Sequence, residues 1–213
     1  IARHLGTRHE ELYLDEDAFS SFIDRAPDYY DEPFADSSCI PSYCLSRLTR
    51  QHVTVAVTGD GGDELFCGYP KYRDLGRAEA FLKLPALARL PMVAVGRAMP
   101  HAKIRKMARA VASGRLDEVS KWLVCIWKEE ELRSLMPGVK IDWSETTFVA
   151  TMERFAQRDP VARLMAVDTA TYLCDDILQK MDRASMAVAL EVRSPLLDYH
   201  VVEFASSLPF DLK

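Results

Sequence analysis

His52-Val53-Thr54-Val55-Ala56-Val57-Thr58 runs directly into Gly59-Asp60-Gly61-Gly62-Asp63-Glu64-Leu65-Phe66-Cys67-Gly68-Tyr69. The first seven residues are rich in β-branched side chains and nearly continuous in apolar character, the pattern of a strand buried on both faces of a parallel sheet. Ligands of open α/β sheets bind in the crevice beyond the carboxyl ends of the strands, so the loop that follows is well placed for one. Its glycines permit positive φ and close approach of backbone to a ligand, and their N–H groups can cradle anionic oxygens. Asp60, Asp63 and Glu64 crowd negative charge, which is costly unless a cation offsets it; Mg²⁺ bridging phosphates is a natural candidate. An acidic solvent loop with turn glycines has the same composition. Two specific alternatives fail: the spacing from Asp60 is not that of an EF-hand, and no Gly-Lys-Ser/Thr of a Walker loop is present.

Upstream, a helix is expected from about Ser38 to Arg50, capped by Asp36 or Ser37. Downstream of Lys71 the apolar spacing turns helical almost to the end, with Pro85, Pro91, Pro100 and Pro137 as punctuation. Asp159-Pro160 is a strong helix start, since Asp caps and Pro suits the first helical position, and that helix should reach about Leu173. Asp175 and Asp182 are further candidate caps, as is Asp198 ahead of Tyr199–Ser207. The chain divides on this reading into an α/β part, 1–70, carrying the acidic glycine-rich loop, and a helical part, 71–213. One strong strand is too few for an independent α/β domain, so the chain reads as a mainly α-helical piece of a larger α/β fold. Missing neighbours would leave strand edges that invite pairing with a second copy, so a homodimer is compatible with the sequence.

The bulk numbers set limits. The 213 residues are 48% hydrophobic and 28% charged, an ordinary globular composition. The longest apolar stretches, around Leu84–Val95 and Val161–Ala170, are broken by Arg89, Pro91, Arg163 and Asp168, well short of the roughly 20 apolar residues of a spanning helix. A net charge of −5 gives no global attraction to nucleic acid. Between Arg97 and Arg115 the basic residues His101, Lys103, Arg105, Lys106 and Arg109 alternate with apolar ones, as on the solvated face of an amphipathic helix. The five cysteines are scattered and form no metal-spaced pair, which suggests reduced thiols and a cytoplasmic setting. Ile1 is not an initiator Met and no signal-like leader follows, so the chain reads as a piece of something longer.

Three segments together resemble the asparagine synthetase family. Thr58–Tyr69 resembles its S-G-D-G-G-D-E-L-F-G-G-Y signature. Tyr30-Asp31-Glu32-Pro33-Phe34-Ala35-Asp36-Ser37-Ser38 resembles Y-D-E-P-F-A-D-S-S. Lys180–Ala187 and Leu190–Asp198 resemble K-V-D-R-A-S-M-A and L-E-x-R-x-P-F-L-D. The resemblance runs in the same order from about residue 30 to 208, with no motif between about Leu75 and Gln157. Thr58 stands for Ser, Cys67 for Gly, Ser194 for a common Val and Leu196 for a common Phe.

The resemblance implies the synthetase half of a glutamine-hydrolysing ligase, of the adenine nucleotide α-hydrolase type, that uses ATP and Mg²⁺. Such an enzyme adenylates the side chain of aspartate, releases pyrophosphate, and lets glutamine-derived ammonia attack the acyl-adenylate. By position, Thr58, Gly59, Gly61 and Gly62 would lie beside the nucleotide, Asp60 would serve the adenylation and ammonia site, and Asp63 would hold Mg²⁺-pyrophosphate. Lys180 and Arg183, at i and i+3, would face phosphate oxygens; exposed helix charges would have the same spacing. Asp182, Ser185, Glu191 and Arg193 would order their segment, and Tyr30 and Asp36–Ser38 would border the site. The family's S-G-G-x-D-S pyrophosphate loop and N-terminal Cys nucleophile do not occur in these residues, so neither ATP chemistry nor glutamine hydrolysis is complete in this chain alone. Amidotransferases of the same kind acting on other acceptors share these motifs, and a helical binding module without catalysis is the non-enzymatic alternative.

Overall fold

A computed structural model describes residues 1–14, 16–127, 129–140, 142, 144, 146–209 and 212–213; at 16–19, 21, 102, 103, 106, 129 and 130 it describes the backbone. In chain order the elements are α1 (Ala2–Leu5), α2 (Glu16–Tyr29), α3 (Cys39–Arg50), β1 (Val55–Val57), α4 (Gly62–Phe66), α5 (Pro70–Leu82), α6 (Ala86–Ala98) and α7 (Ala102–Ala112). They continue with α8 (Leu116–Val124), α9 (Glu129–Leu135), α10 (Thr147–Arg154), α11 (Pro160–Ala170), a π-helical turn (Leu173–Leu178), α12 (Gln179–Met186), β2 (Glu191–Arg193), a 3₁₀ turn (Pro195–Leu197) and α13 (Tyr199–Ser207). The chain is mostly helical, as its sequence predicts. It falls into two compact units, one of Ile1–Gly61 with Tyr172–Glu203, the other of Gly62–Thr171 with Phe204–Lys213.

The first unit is built on α3 and α12. Cys39, Ile40, Tyr43 and Cys44 recur at helical spacing on α3, and they are buried with Phe22, Tyr30 and Ala184. Ser38 takes the N-cap position of α3, and Asp36 accepts from the Ser38 N–H at 2.8 Å, so the expected cap at Asp36 or Ser37 lies one step further on. β1 and β2 pair in parallel, Val55 opposite Glu191 and Val57 opposite Arg193.

The strand differs from expectation in two ways. It is three residues long, because the N–H groups of His52 and Val53 bond back to Thr49 O and extend the end of α3. It is also not buried: Val57 is 71% exposed, since among the described residues the sheet has two strands only. The apolar run reads as a central strand, but burial on both faces requires neighbours that a two-stranded sheet lacks.

In the second unit Tyr72 and Leu75 of α5, Val119 of α8, and Val161 and Leu164 of α11 form the core, with Ala110 and Val111 of α7. Fully burying such aliphatic side chains stabilises by about 1.5–3 kcal/mol each. Asp159 caps α11 as expected, accepting from Val161 N–H at 2.9 Å. The helix ends at Ala170 rather than Leu173, where Thr171 leaves helical geometry. Asp175 then lies within the π-helical turn and Asp182 inside α12, so neither is a cap; one nearly continuous helical run leaves no free N–H groups for them to satisfy. Asp198 does cap, accepting from His200 N–H at 2.9 Å. On α7, Ala108 and Val111 are buried while Arg109 is exposed, the expected amphipathic face; the side chains of Lys103 and Lys106 lie outside the described residues. No described helix is long and apolar enough to cross a membrane.

Candidate functional site

The loop after β1 is fixed by the loop after β2. Thr58 N–H donates to Arg193 O at 2.9 Å. The Thr58 hydroxyl donates to Asp60 Oδ2 at 2.8 Å and lies 3.0 Å from Ser194 Oγ. Gly61 has φ +87°, and a Cβ there would collide with the Leu197 side chain, so this turn requires glycine. A Cβ on Gly59 would meet nothing within 4 Å, which leaves that face of the backbone open to a ligand. Thr58, Gly59, Asp60 and Gly61 therefore form one rigid turn at the carboxyl ends of two parallel strands.

Gly62 and Asp63 belong to the second unit and open α4. Asp63 is exposed, and its carboxylate lies against Gly68, where any Cβ would strike Asp63 Oδ1. Cys67 ends α4 with φ +61°, a backbone that favours the glycine the family uses there and that costs about 1 kcal/mol for other residues. Burial pushes the Cys67 thiol up, which keeps it protonated.

Glu64 departs from the expected acidic crowd. It is buried and accepts from the Tyr69 hydroxyl at 2.8 Å. Among the described residues no three His, Cys, Asp or Glu side chains gather to hold a metal. Mg²⁺ usually takes one or two carboxylates with phosphate oxygens completing its shell, so the single exposed Asp63 suits a metal that arrives with phosphate.

Lys180 and Arg183 both lie on α12, one turn apart. They are not loose surface charges. Lys180 is buried, and its ammonium donates to Asp36 Oδ2 and to Ser38 Oγ, each at 2.8 Å. The Tyr30 hydroxyl donates to the Lys180 backbone carbonyl at 3.4 Å. Arg183 pairs with Asp31 at 2.5 Å near the surface. The segment 30–38 thus meets α12 directly, through contacts that spacing alone does not reveal. Ser185 donates to the Asp182 backbone carbonyl at 3.2 Å and Arg193 pairs with Glu191 at 2.8 Å near the surface, so both contacts stay within their own segment.

Asp176 was not legible as a site residue. It sits on the π-helical turn close enough to the Asp36 carboxylate to feel its charge, and its buried Oδ1 has no hydrogen-bond partner among the described residues. Burial, then the neighbouring Asp36 carboxylate, push its pKa up to about 6, against the pull of Lys180. Burial also acts to raise Asp36, but the bonds from Lys180 and Ser38 outweigh it and hold Asp36 down at about 2. A π-turn in a helix often marks a functional position, and Asp176 lies within the one at Leu173–Leu178.

The asparagine synthase family profile matches residues 1–213, the whole chain. The chain belongs to the asparagine synthase family. Over its full length it is 35% identical to a Mycobacterium tuberculosis protein provisionally named asparagine synthetase (glutamine-hydrolyzing), covering 33% of that protein. It is 28% identical to asparagine synthetase (glutamine-hydrolyzing) 1 of Bacillus subtilis, covering 34%. A Penicillium rubens protein named amidase chyE is 25% identical over the whole chain, again with 34% of its length covered. The chain thus spans about a third of the length of the curated relatives it matches. No solved structure matches it.

Proposed function

We propose that this asparagine synthase chain is the C-terminal part of the synthetase region of a larger cytoplasmic enzyme that makes asparagine from aspartate, ATP and glutamine-derived ammonia. The parent fold on this reading is a parallel α/β sheet of the adenine nucleotide α-hydrolase type, in which 1–70 carries the site loop and 71–213 is the helical part. An aspartate carboxylate oxygen attacks the α-phosphorus and pyrophosphate leaves; ammonia then attacks the acyl carbon and AMP leaves. Thr58, Gly59, Gly61 and Gly62 line the nucleotide, Asp60 serves the reacting carboxyl and ammonia, and Lys180 and Arg183 would face phosphate oxygens on exchanging their carboxylate partners Asp36 and Asp31 for them. Mg²⁺ held at Asp63 with pyrophosphate would neutralise charge developing on the leaving group.

The observation that carries this reading is the turn Thr58–Gly61, pinned to Ser194 and Leu197 beyond the carboxyl ends of both strands. A site of that kind suits a nucleotide held by backbone. The test is the full-length protein given Mg²⁺-ATP, aspartate and glutamine, with asparagine, AMP and pyrophosphate measured. Equal amounts of all three are expected, with no turnover by the 213-residue chain alone. No asparagine from the full-length protein overturns the reading. The edge of β1 away from β2, unpaired among the described residues, also suits a homodimer, which light scattering of the chain would reveal as a doubled mass. A second reading keeps the chemistry and changes the acceptor; the likeness to the Penicillium protein named an amidase favours it, and amide formation on an acceptor other than aspartate would establish it.

A further inference from the structure

Two of the residues at which this chain departs from the family pattern meet in space. Thr58 stands where the family has Ser, and Ser194 where it commonly has Val. They are 136 residues apart in sequence, and their hydroxyl oxygens are 3.0 Å apart. A threonine hydroxyl has one proton, and that of Thr58 goes to Asp60 Oδ2 at 2.8 Å. The proton between Thr58 and Ser194 therefore comes from Ser194.

We propose that Ser194 is a positioning residue for Asp60, acting through Thr58 as a two-hydroxyl relay, Ser194 to Thr58 to the Asp60 carboxylate. The relay occupies Oδ2 and leaves Oδ1 to face the reacting groups. It is anchored at both ends. Thr58 N–H is held by Arg193 O, the residue beside Ser194, so the end of β2 supplies both the backbone and the hydroxyl contact. Thr is stiffer at χ1 than Ser, and hydrogen bonds in a chain polarise and strengthen one another. A consequence is that the Thr58 hydroxyl proton is already committed, so toward a nucleotide this residue offers a remaining acceptor lone pair, its methyl group and its backbone.

This inference rests on the proposed role of Asp60, and its test separates the two. In the full-length enzyme, Ser194→Val is expected to lower kcat for amide formation roughly fivefold, the scale of one neutral hydrogen bond, with KM for aspartate nearly unchanged. Ser194→Thr, which keeps the hydroxyl, should restore the rate. In a Thr58→Val background Ser194→Val should have no further effect, because the link it acts through is gone. An unchanged kcat in Ser194→Val, or losses that multiply in the double variant, would overturn the relay. If the wild type makes no amide at all, the functional reading fails and a crystal structure of Ser194→Val decides the relay alone. A carboxylate of Asp60 that turns away from Thr58 upholds it; one that keeps its place removes it.

Discussion

Two lysines in this chain meet a carboxylate at almost the same distance, Lys71 with Asp168 at 2.7 Å and Lys180 with Asp36 at 2.8 Å, yet their surroundings make them different devices. In the second unit Asp168 is fully buried, and Lys71 lies 4.8 Å above the Tyr69 ring and 5.8 Å above that of Tyr72. The Tyr72 hydroxyl is buried beside Asp168 and has no well-formed hydrogen bond among the described residues, and burial followed by the Asp168 charge drives its pKa far up. Among the described residues, the cation that meets this deeply desolvated anion is Lys71. In the first unit Asp36 has two further donors from Ser38, and Asp176 is a second carboxylate near enough to feel the charges of both Asp36 and Lys180. Lys71 is a lock, whereas Lys180 sits among carboxylates and donors that can be rearranged.

Removing each cation measures that difference. Lys71→Met strands Asp168 in the core and should cost about 3–5 kcal/mol, seen as a lower denaturant midpoint at unchanged slope. Lys180→Met should cost less, about 1–3 kcal/mol, because Asp36 is partly exposed and keeps both bonds from Ser38. Equal losses in the two variants would erase the contrast.

Asp176→Asn should work in the opposite direction. A carboxyl whose folded pKa is raised to about 6 contributes stability that is complete below its unfolded pKa of about 4 and is lost as pH rises through 6. The variant should therefore match the wild type in acid and be more stable by about 1 kcal/mol at pH 7.5, the full shift being discounted for solvent screening. Asp36, held at about 2, has the opposite sign: its contribution is present above about pH 4 and is lost as pH falls toward 2. A stability difference between Asp176→Asn and wild type that does not change between pH 4 and 7.5 would remove the two-carboxylate account. The smallest effect is expected from Arg183→Ala, which breaks a surface pair with Asp31 and should change stability by under about 1 kcal/mol.

Much of the site was legible because its logic is local. The glycines of the Thr58–Tyr69 segment, the Asp159-Pro160 start of α11 and the i, i+3 pair Lys180 and Arg183 are each set by the conformations open to a few consecutive residues. The misses have a common physical origin. His52–Thr58 reads as a buried strand, and only Val55–Val57 forms one, largely exposed, because apolar runs record what a sheet would bury, not whether neighbours are there to bury it. Asp175 and Asp182 looked like caps because Asp favours helix starts, but a cap needs free N–H groups, and the π-turn continues into α12 without releasing any. Glu64 looked like a third loop carboxylate until α4 turned it inward to Tyr69.

The sequence by itself determined the family, the predominance of helix, and the glycine-framed turn beside Asp60, all properties of residue order within short stretches. Only the tertiary structure decided which polar groups meet: Lys180 with Asp36 across 144 residues, Arg183 with Asp31 across 152, Lys71 with Asp168 across 97, and Thr58 with Ser194 across 136. A side chain's partner is chosen by the packing of the elements that carry it, and hydrogen bonds reach about 3 Å whatever the separation along the chain.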